Sequence, residues 1–448
     1  MGSDVVVLGG GITGLSLADA VSSRGRSVCV IEGQGVFGGL VRSIRLGGHV
    51  FDTGPHGIYC PDPSIFDWFH GLLGDDLQPM DRRSYTLFRG RRVVYPLTVK
   101  GALGAVTPIE ALRVAVEAGL LRPFKGAPPT DASFEDWAIH SFGATIYRLF
   151  FKDYTEKLWG LPCRELSAAW VSVHLPANSL LQVLYDRLRN KDLPIGFVSR
   201  FYYSAHGAGD LVDRLVARLQ ARPGVALRKG ARITRVARRQ QEWVVSLEGG
   251  EERRAPHVVS TIPASVLVSL LDPAVDEAVR AVARSLRFRN LILVLLVVDT
   301  PRVSDANWLY VPDPRLGVCR ISEFKNMIPS MRGRPDTSLE LELYCWPGDA
   351  VWKAGDEEIV SGSVAELQAL GLVKPGQVKE TAVVRVRNAY PVFDLEYESK
   401  LARIHEALGG LPGLHLLGRT GAFLYLDQAG CVKRAFEWAR QHLDGARA

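Results

Sequence analysis

A glycine-rich turn lies close to the start of the chain, between an apolar run and a helical pattern. Its three spaced glycines are Gly9, Gly11 and Gly14. In a strand–turn–helix unit the first glycine permits the tight turn, the second lets the backbone approach a pyrophosphate, and the third lets the helix pack against the strand. The helix that begins near Ile12 and Thr13 then directs N–H groups toward the phosphates. The turn therefore predicts a dinucleotide site.

A carboxylate at the end of the next strand-like run indicates which dinucleotide fits. Glu32 ends the run at 27–32 and can accept hydrogen bonds from ribose hydroxyls. Because a carboxylate disfavours a 2′-phosphate, FAD or NAD is favoured over NADP. Strand, helix and second strand together form a βαβ unit, which is typical of a parallel sheet.

Patterns that would form the domain around this turn are found in three separated parts of the chain. Residues 1–60, 205–285 and 400–448 contain strand, glycine-loop and capped-helix patterns and are predicted to form one discontinuous domain. Residues 61–204 are predicted to be a mostly helical insertion, and residues 286–399 a β-rich substrate domain. The expected fold class is α/β, with a Rossmann-like domain interleaved with a mixed helical and β-sheet substrate domain.

Composition and charge limit the class of protein. The chain has 448 residues and a formal net charge of +6, and its 54 Lys and Arg residues are spread along the sequence. This distribution does not favour nucleic acid as a partner, and an anionic small molecule suits it better. The 6 cysteines stand far apart without a CxxC pair, so neither a metal site nor a disulfide framework is predicted.

The amino end and the apolar runs bear on location. A strand-like run begins within the first few residues, which leaves no room for a secretory leader, and the apolar run at 291–298 is too short to span a membrane. The sequence therefore predicts a cytoplasmic protein without a transmembrane segment. Peripheral membrane contact and a homo-oligomer stay open.

A second glycine-rich block follows Glu32 and continues the predicted cofactor site. Its residues are Gly38, Gly39, Leu40, Arg42, Gly54, Pro55 and His56. With this block the chain resembles the flavoprotein superfamily of amine oxidases, protoporphyrinogen oxidase and UDP-galactopyranose mutase, which has a GR2-type fold. The segments "GAGDLVDRL", "ARITRV" and "HVVSTIPA" are similar to that superfamily's later FAD-domain pieces. The resemblance implies FAD as the cofactor, with five further binding residues: Ile233, Gly418, Arg419, Asp427 and Gln428.

Three further segments are similar to the UDP-galactopyranose mutase branch of this superfamily. One is a Tyr-x-x-Lys-x-Trp stretch, one is a Tyr-Pro segment, and one is the C-terminal flavin loop in "GRTGAFLYLDQ". The matching residues are Tyr154, Lys157, Trp159, Tyr390, Arg419, Tyr425 and Asp427.

The mutase resemblance implies an unusual use of the cofactor. In the mutases, N5 of reduced flavin attacks the anomeric carbon of a nucleotide-linked sugar and carries the sugar while its pyranose ring opens and recloses as a furanose. This is covalent catalysis without net oxidation, although an electron donor must first reduce the flavin. Aromatic side chains would stack on the base or sugar, and arginine would hold the diphosphate. The candidate catalytic residues are Tyr154, Trp159, Arg289, Tyr390, Arg419, Tyr425 and Asp427, with Arg287 beside Arg289.

Two departures from the mutase pattern keep other functions open. Where the mutases carry a diphosphate-binding arginine, this chain has His174, and imidazole is a poorer clamp than guanidinium. The run "SLRFRNLILVLLVV" is more similar to protoporphyrinogen-oxidase-like relatives. The alternative hypothesis is an FAD-dependent oxidoreductase that takes hydride from an amine, a porphyrinogen-like or an isoprenoid-like substrate and passes it to an electron acceptor. A third is a flavin-binding protein without turnover.

The catalytic candidates also have structural interpretations. The tryptophan and tyrosines lie among other aromatic residues and suit a hydrophobic core. Asp427 precedes the last helical pattern and is suited to capping that helix. Arg287 and Arg289 alternate along a strand-like run and share one face, which is either a binding face or a solvated one.

Overall fold

The centre of the fold is a parallel sheet, seen in a computed structural model that describes residues 2–95, 101, 104–117, 131–169, 171 and 199–444. His174 lies outside the described residues. Five strands form the sheet in the order Leu414–Leu416, His257–Ser260, Val5–Leu8, Val28–Ile31 and Val225–Arg228. Val5–Leu8 and Val28–Ile31 are buried along their whole length, as expected of short apolar strands covered on both faces.

One face of the parallel sheet is covered by helices. Val5 and Val7 point into an apolar cluster formed with these helices, because alternate residues of a strand face the same side. The predicted βαβ unit is confirmed, with its helix at Ile12–Ser22. The other helices of this layer are Pro63–Leu73, Gly209–Gln220 and Gln428–Leu443.

The opposite face packs against a small sheet and three further helices. Val6 and Leu8 lie in one apolar cluster with Trp243 and Val245. The small sheet has the order Glu252–Ala255, Glu242–Leu247, Ile233–Arg239 and Leu271–Asp272. The helices are Ala264–Leu270, Glu277–Ser285 and Tyr397–Gly409.

A seven-stranded sheet forms the second large layer. Its order is Val378–Pro391, Phe288–Val298, Thr337–Cys345, Arg320–Glu323, Trp308–Tyr310, Ser84–Phe88 and Arg91–Tyr95. Neighbouring strands are antiparallel, except that Trp308–Tyr310 runs parallel to Ser84–Phe88. Along the chain, the strand Thr337–Cys345 is followed by the helices Ala350–Lys353 and Asp356–Ala369.

The segment predicted to be a mostly helical insertion holds both helices and strands. The described α-helices are Pro63–Leu73, Pro108–Val116, Phe134–Phe142, Ala144–Ile146 and Lys152–Trp159, the last preceded by a π-helical stretch at Tyr147–Phe151. The segment also carries four strands that the sequence did not predict: Leu77–Asp81, Ser84–Phe88, Arg91–Tyr95 and Arg200–Ser204. These strands are short and include polar residues, so no continuous apolar run marks them.

The short strands Ser43–Leu46 and His49–Asp52 form an antiparallel hairpin. In the described part of the chain, none of the helices combines the length and the apolar character needed to cross a bilayer.

Candidate active site

A cavity of about 830 Å³ lies at the carboxyl ends of two central strands, Val5–Leu8 and Val28–Ile31. Gly9 has a φ of +105°, which only glycine adopts readily. A Cβ at Gly14 would overlap the carbonyl oxygen of Gly9 and lie 3.1 Å from Val7 Cγ1. Among the residues that the structure describes, no side chain caps the amino end of the helix that follows, so its first N–H groups are suited to binding phosphate. We call this space the glycine-lined cavity.

Glu32 lies on the wall of this cavity beside the glycine turn. Its Oε2 accepts a hydrogen bond from the backbone N–H of Gly10, and its Oε1 accepts one from that of Gln34, both at 2.8 Å. Arg42 donates from Nη1 to Gln34 Oε1 at 2.9 Å. Because each carboxylate oxygen has a second lone pair, Glu32 can also accept hydrogen bonds from a ribose.

The amino end of the helix Gln428–Leu443 forms another wall of the cavity. Asp427 caps this helix, since its Oδ1 accepts a hydrogen bond from Gly430 N at 2.7 Å. The structural interpretation of Asp427 is therefore correct, and the same carboxyl also lines the cavity. Burial raises the pKa of Asp427, against the opposing effect of its backbone hydrogen bonds. Gln428 donates from Nε2 to the carbonyl of His56 at 2.9 Å.

Several buried polar atoms around this cavity make no hydrogen bond with the described residues. They are Arg42 Nε, His56 Nε2, Gln428 Oε1, and Nε and Nη2 of Arg419. Burial lowers the pKa of His56 to about 4, so its imidazole is neutral at pH 7. Because buried polar groups are normally paired, these atoms fit a polar ligand such as a dinucleotide.

Most residues predicted to bind the cofactor line this one cavity. They are Gly9, Gly11, Ile12, Thr13, Glu32, Gly38, Gly39, Leu40, Arg42, Gly54, Pro55, His56, Arg419, Asp427 and Gln428. Three others do not line it. Gly14 packs the helix on the strand, and Gly418 lies against Thr13, where a Cβ would be 2.7 Å from Oγ1. Ile233 packs at the edge of an apolar cluster on the small sheet, away from the lining.

A second cavity of about 390 Å³ adjoins the first. Aromatic rings form most of its wall, among them Phe150, Tyr154, Trp308 and Tyr310, and we call it the aromatic cavity. Its charged lining residues are Arg82, Arg200 and Arg320, and none of its described lining residues is a carboxylate. The two cavities share the lining residues Pro55, Gly57, Arg320, Tyr390 and Tyr425.

Where the cavities meet, arginine and tyrosine side chains are stacked. The Cζ of Arg419 lies 4.6 Å from the ring centre of Tyr390 and 4.7 Å from that of Tyr425. Trp159 is fully buried behind both tyrosines, with ring centres 6.3 Å and 5.9 Å away. It lines neither cavity, so the core interpretation of Trp159 is correct and its role is to support Tyr390 and Tyr425.

Arg320 is the cation at this junction that the sequence did not reveal. It stands directly opposite Glu342 on the neighbouring strand, and its Nε and Nη2 both donate to Glu342 Oε1, the former at 2.9 Å. Tyr344 donates its hydroxyl hydrogen to Glu342 Oε2. Burial lowers the pKa of Arg320, but the charge of Glu342 and the nearby tyrosines together outweigh burial and hold that pKa well above its usual value. Within the described residues the hydrogen bonds of the guanidinium come from Nε and Nη2, and Arg320 lines both cavities.

The strand that carries Glu342 holds the signal that could have revealed this pair. Glu340 and Glu342 alternate with leucines in "LELELY", and both are 0% exposed. Charged residues that alternate with apolar ones along a strand usually face water. Where such a strand is buried on both faces, its carboxylates need a cation as a partner. Burial raises the pKa of Glu340 well above its usual value, and its Oε2 accepts a hydrogen bond from Gly54 N at 3.4 Å.

The two arginines of the run at 286–290 lie outside both cavities. Arg289 is buried and donates from Nη2 to the carbonyl of Tyr344 at 2.8 Å. Arg287 forms an ion pair of 3.3 Å with Asp394. The guanidinium carbons of Arg289 and Arg287 lie 4.7 Å and 5.6 Å from the ring of Trp346, so they share one face as predicted. That face binds Trp346, and neither arginine lines a cavity.

The model of the flavin-containing amine oxidoreductase family matches residues 12–440. The chain belongs to this family. The family resemblance inferred from the glycine blocks is therefore confirmed, and the chain is a member of a family of flavin-containing enzymes.

Curated relatives of two kinds are similar to this chain. Protoporphyrinogen oxidase of Bos taurus is 26% identical over 63% of this chain and 64% of its own length. Protoporphyrinogen oxidase 2 of Arabidopsis thaliana is 30% identical over 30% of this chain and 27% of its own length. A probable UDP-galactopyranose mutase of Klebsiella pneumoniae is 23% identical over 37% of this chain and 43% of its own length. The chain thus matches less than two thirds of the length of each of these relatives.

Solved structures share the fold over almost the whole chain. Reduced UDP-galactopyranose mutase has a TM-score of 0.82 at 20% identity, over 99% of this chain and 94% of that one. A putative protoporphyrinogen oxidase from Exiguobacterium sp. 255-15 has a TM-score of 0.79 at 18% identity, over 98% of both chains. The predicted α/β architecture, a Rossmann-like domain with a substrate domain, is confirmed.

Proposed function

We propose that the protein binds FAD in the glycine-lined cavity and acts on an anionic substrate in the aromatic cavity. Membership of a flavin-containing family and the unpaired buried polar atoms around the first cavity support FAD. The amides around Gly11 would bind its pyrophosphate and Glu32 its adenosine ribose. When bound, the flavin ring supplies a centre that can exchange electrons or attack an electrophilic carbon.

The observation that carries the proposal is the lining of the aromatic cavity. The charged residues among its described lining are all arginines, and Arg320 lies where that cavity meets the glycine-lined one. Guanidinium groups bind phosphate or carboxylate, and the tyrosine and tryptophan rings can stack on a base or a sugar. A protonated amine would find no described carboxylate in this lining, so the site disfavours the amine substrates considered from the sequence.

We infer that the reaction interconverts pyranose and furanose forms of a nucleotide-linked sugar. This reaction separates a nucleoside diphosphate from the sugar, and Arg320 would bind the charge that the diphosphate gains. Glu342 and Tyr344 would keep Arg320 in place. Tyr390 and Tyr425, supported by Trp159, would confine the sugar and exclude water. The likeness to UDP-galactopyranose mutases supports this reaction.

The test is a product assay on the FAD-loaded protein with UDP-galactopyranose as the probe. We expect dithionite-reduced protein to form UDP-galactofuranose without peroxide, and oxidised protein to form none. Arg320→Gln should reduce turnover by about a hundredfold, since a charged donor is lost at the reacting group. Arg287→Gln is the matched control, because Arg287 is also ion-paired but lines neither cavity. Equal losses in the two variants, or no product from reduced protein, would contradict the mutase proposal.

A second candidate function is oxidation of a largely apolar substrate. Phe134, Phe150 and Phe151 give one side of the aromatic cavity an apolar wall, and the Bos taurus protoporphyrinogen oxidase matches a longer part of the chain than the mutase relative does. In this case a porphyrinogen or isoprenoid substrate should bleach the oxidised flavin without added reductant. That result, with no furanose product, would favour the oxidoreductase.

The cytoplasmic location, the electron donor or acceptor, a homo-oligomer and the predicted domain boundaries stay predictions from the sequence.

A further inference from the structure

The proposed function assigns no role to Lys157, the lysine of the Tyr-x-x-Lys-x-Trp motif. Lys157 lies on the helix Lys152–Trp159 and is half-buried. Its ammonium group donates three hydrogen bonds to backbone carbonyls, at 3.0 Å to Val311, 2.9 Å to Asp313 and 2.7 Å to Val318. All three hydrogens of the ammonium group are therefore paired, and the group does not point into either cavity.

The three carbonyls belong to one hairpin. Residues 311–319 connect the antiparallel strands Trp308–Tyr310 and Arg320–Glu323, in which Tyr310 stands opposite Arg320. The first strand carries Trp308 and Tyr310 into the wall of the aromatic cavity, and the second carries Arg320 to the junction. The position of this loop thus bears on both the stacking rings and the cation.

The helix holds the hairpin at two points. Tyr154 lies three residues before Lys157, on the same side of the helix, and its ring meets that of Tyr310 edge-on with centres 5.3 Å apart. On its other side the loop is held by Glu366, whose carboxylate accepts hydrogen bonds from Gly317 N at 2.7 Å and Val318 N at 2.9 Å. The loop carbonyls are bound by a cation and the loop amides by an anion.

We propose that Lys157 is a positioning residue that fixes the loop 311–319 and thereby holds Arg320 and the aromatic wall in place for substrate binding. The inference rests on the proposed function for its consequence in binding, but the structural part is independent of it. It also explains the motif spacing. Tyr154 and Lys157 hold the hairpin, while Trp159 supports the tyrosines on the other side of the junction.

The direct test is amide hydrogen exchange in the FAD-loaded full chain. Removal of the ammonium group in Lys157→Met should speed exchange of the loop amides about tenfold, because local opening becomes easier. Lys325→Met is a matched control, since Lys325 is also half-buried and donates to the carbonyls of Pro301 and Asp336 at 2.9 Å and to that of Arg334. It lies beyond the other end of the strand Arg320–Glu323. Unchanged loop exchange in Lys157→Met, or an equal change in Lys325→Met, would overturn the inference.

The consequence for the site is tested with inorganic pyrophosphate as the probe. We expect Lys157→Met to weaken pyrophosphate binding about tenfold when Arg320 is present, but less than about twofold in an Arg320→Met background. Equal losses in both backgrounds would mean that Lys157 does not act through Arg320 and would overturn that step. If Arg320→Met alone leaves pyrophosphate binding unchanged, the proposed function fails, while hydrogen exchange still decides the role of Lys157. Should Lys157→Met not fold, Lys157→Gln retains one amide donor and should show the same pattern at smaller amplitude.

Discussion

The glycine-lined cavity and the aromatic cavity are built in different ways. The first is formed largely by backbone at the ends of parallel strands, and its glycines, Glu32 and Arg42 lie close together along the chain. The second is formed by side chains that come from distant segments, such as Arg82, Tyr154, Trp308 and Tyr425. A binding site formed by the backbone requires particular backbone conformations and positions without a side chain. A binding site formed by side chains requires rigid packing behind each of those side chains. The two cavities should therefore respond differently to substitution.

The largest effect is expected at the junction. Arg320→Met leaves the fully buried Glu342 without its cation and should lower the free energy of unfolding by about 4 kcal/mol. Adding Glu342→Leu should restore most of that stability without restoring pyrophosphate binding. Urea denaturation and calorimetric titration measure the two quantities separately. If the double variant binds pyrophosphate as the natural chain does, Arg320 is only a structural partner of Glu342.

The backbone cavity is tested at the third glycine of the turn. A Cβ at Gly14 would overlap the carbonyl of Gly9, so Gly14→Ala should cost about 3 kcal/mol and release FAD. Gly71 is also in a helix, but a Cβ added there would have no heavy atom within 4 Å beyond its own helix turn and chain neighbours. Gly71→Ala should instead stabilise the protein by up to about 1 kcal/mol and retain FAD. Flavin absorbance and thermal unfolding check both, and full FAD retention in Gly14→Ala would refute the packing role.

The difference between these cavities also explains what the sequence could predict. Gly9, Glu32 and Arg42 belong to contiguous patterns, because they lie in one short part of the chain that supplies one side of that cavity. Arg320 belongs to no local pattern, since its importance comes from the cross-strand position opposite Glu342. Arg289 was a candidate from the sequence because it alternates with Arg287 along a strand-like run, yet its side chain lies against Trp346. Ile233 does not line the glycine-lined cavity, and its assignment to the cofactor site stays a prediction from the sequence.

Acid–base behaviour offers a test at Asp52, which lies shortly before Pro55 and Gly57, two residues that line both cavities. Asp52 is 0% exposed, and burial raises its pKa from 3.8 to about 6, although Ser43 and Tyr203 donate hydrogen bonds to it. A carboxyl with a raised folded-state pKa contributes stability below its unfolded-state pKa, and this contribution is lost as the pH rises through the folded-state value. The stability of the natural chain relative to Asp52→Asn should therefore fall by about 2 to 3 kcal/mol between pH 4 and pH 7. Urea denaturation at several pH values measures it. A difference that is constant or grows with pH would rule out the raised pKa.

The smallest effect is expected at Asp427, which combines a structural and a binding role. Asp427→Ala should cost about 1 kcal/mol, as loss of a helix cap does, and should also weaken FAD binding. Asp276 caps the helix Glu277–Ser285 by accepting from Ala278 N at 2.7 Å and is absent from both cavity linings. Asp276→Ala should show a similar loss of stability with FAD affinity unchanged. Identical FAD affinities in the two variants would mean that Asp427 only caps its helix and does not contribute to FAD binding.

The central claim is that a flavin in the glycine-lined cavity meets an anionic substrate at Arg320, Tyr390 and Tyr425. The most direct measurement is an anaerobic titration of FAD-loaded, dithionite-reduced protein with UDP-galactose, followed by flavin absorbance. The account predicts a saturable change in the flavin spectrum that Arg320→Gln abolishes and Arg287→Gln retains. A fully FAD-loaded protein whose spectrum stays unchanged up to millimolar UDP-galactose would contradict it.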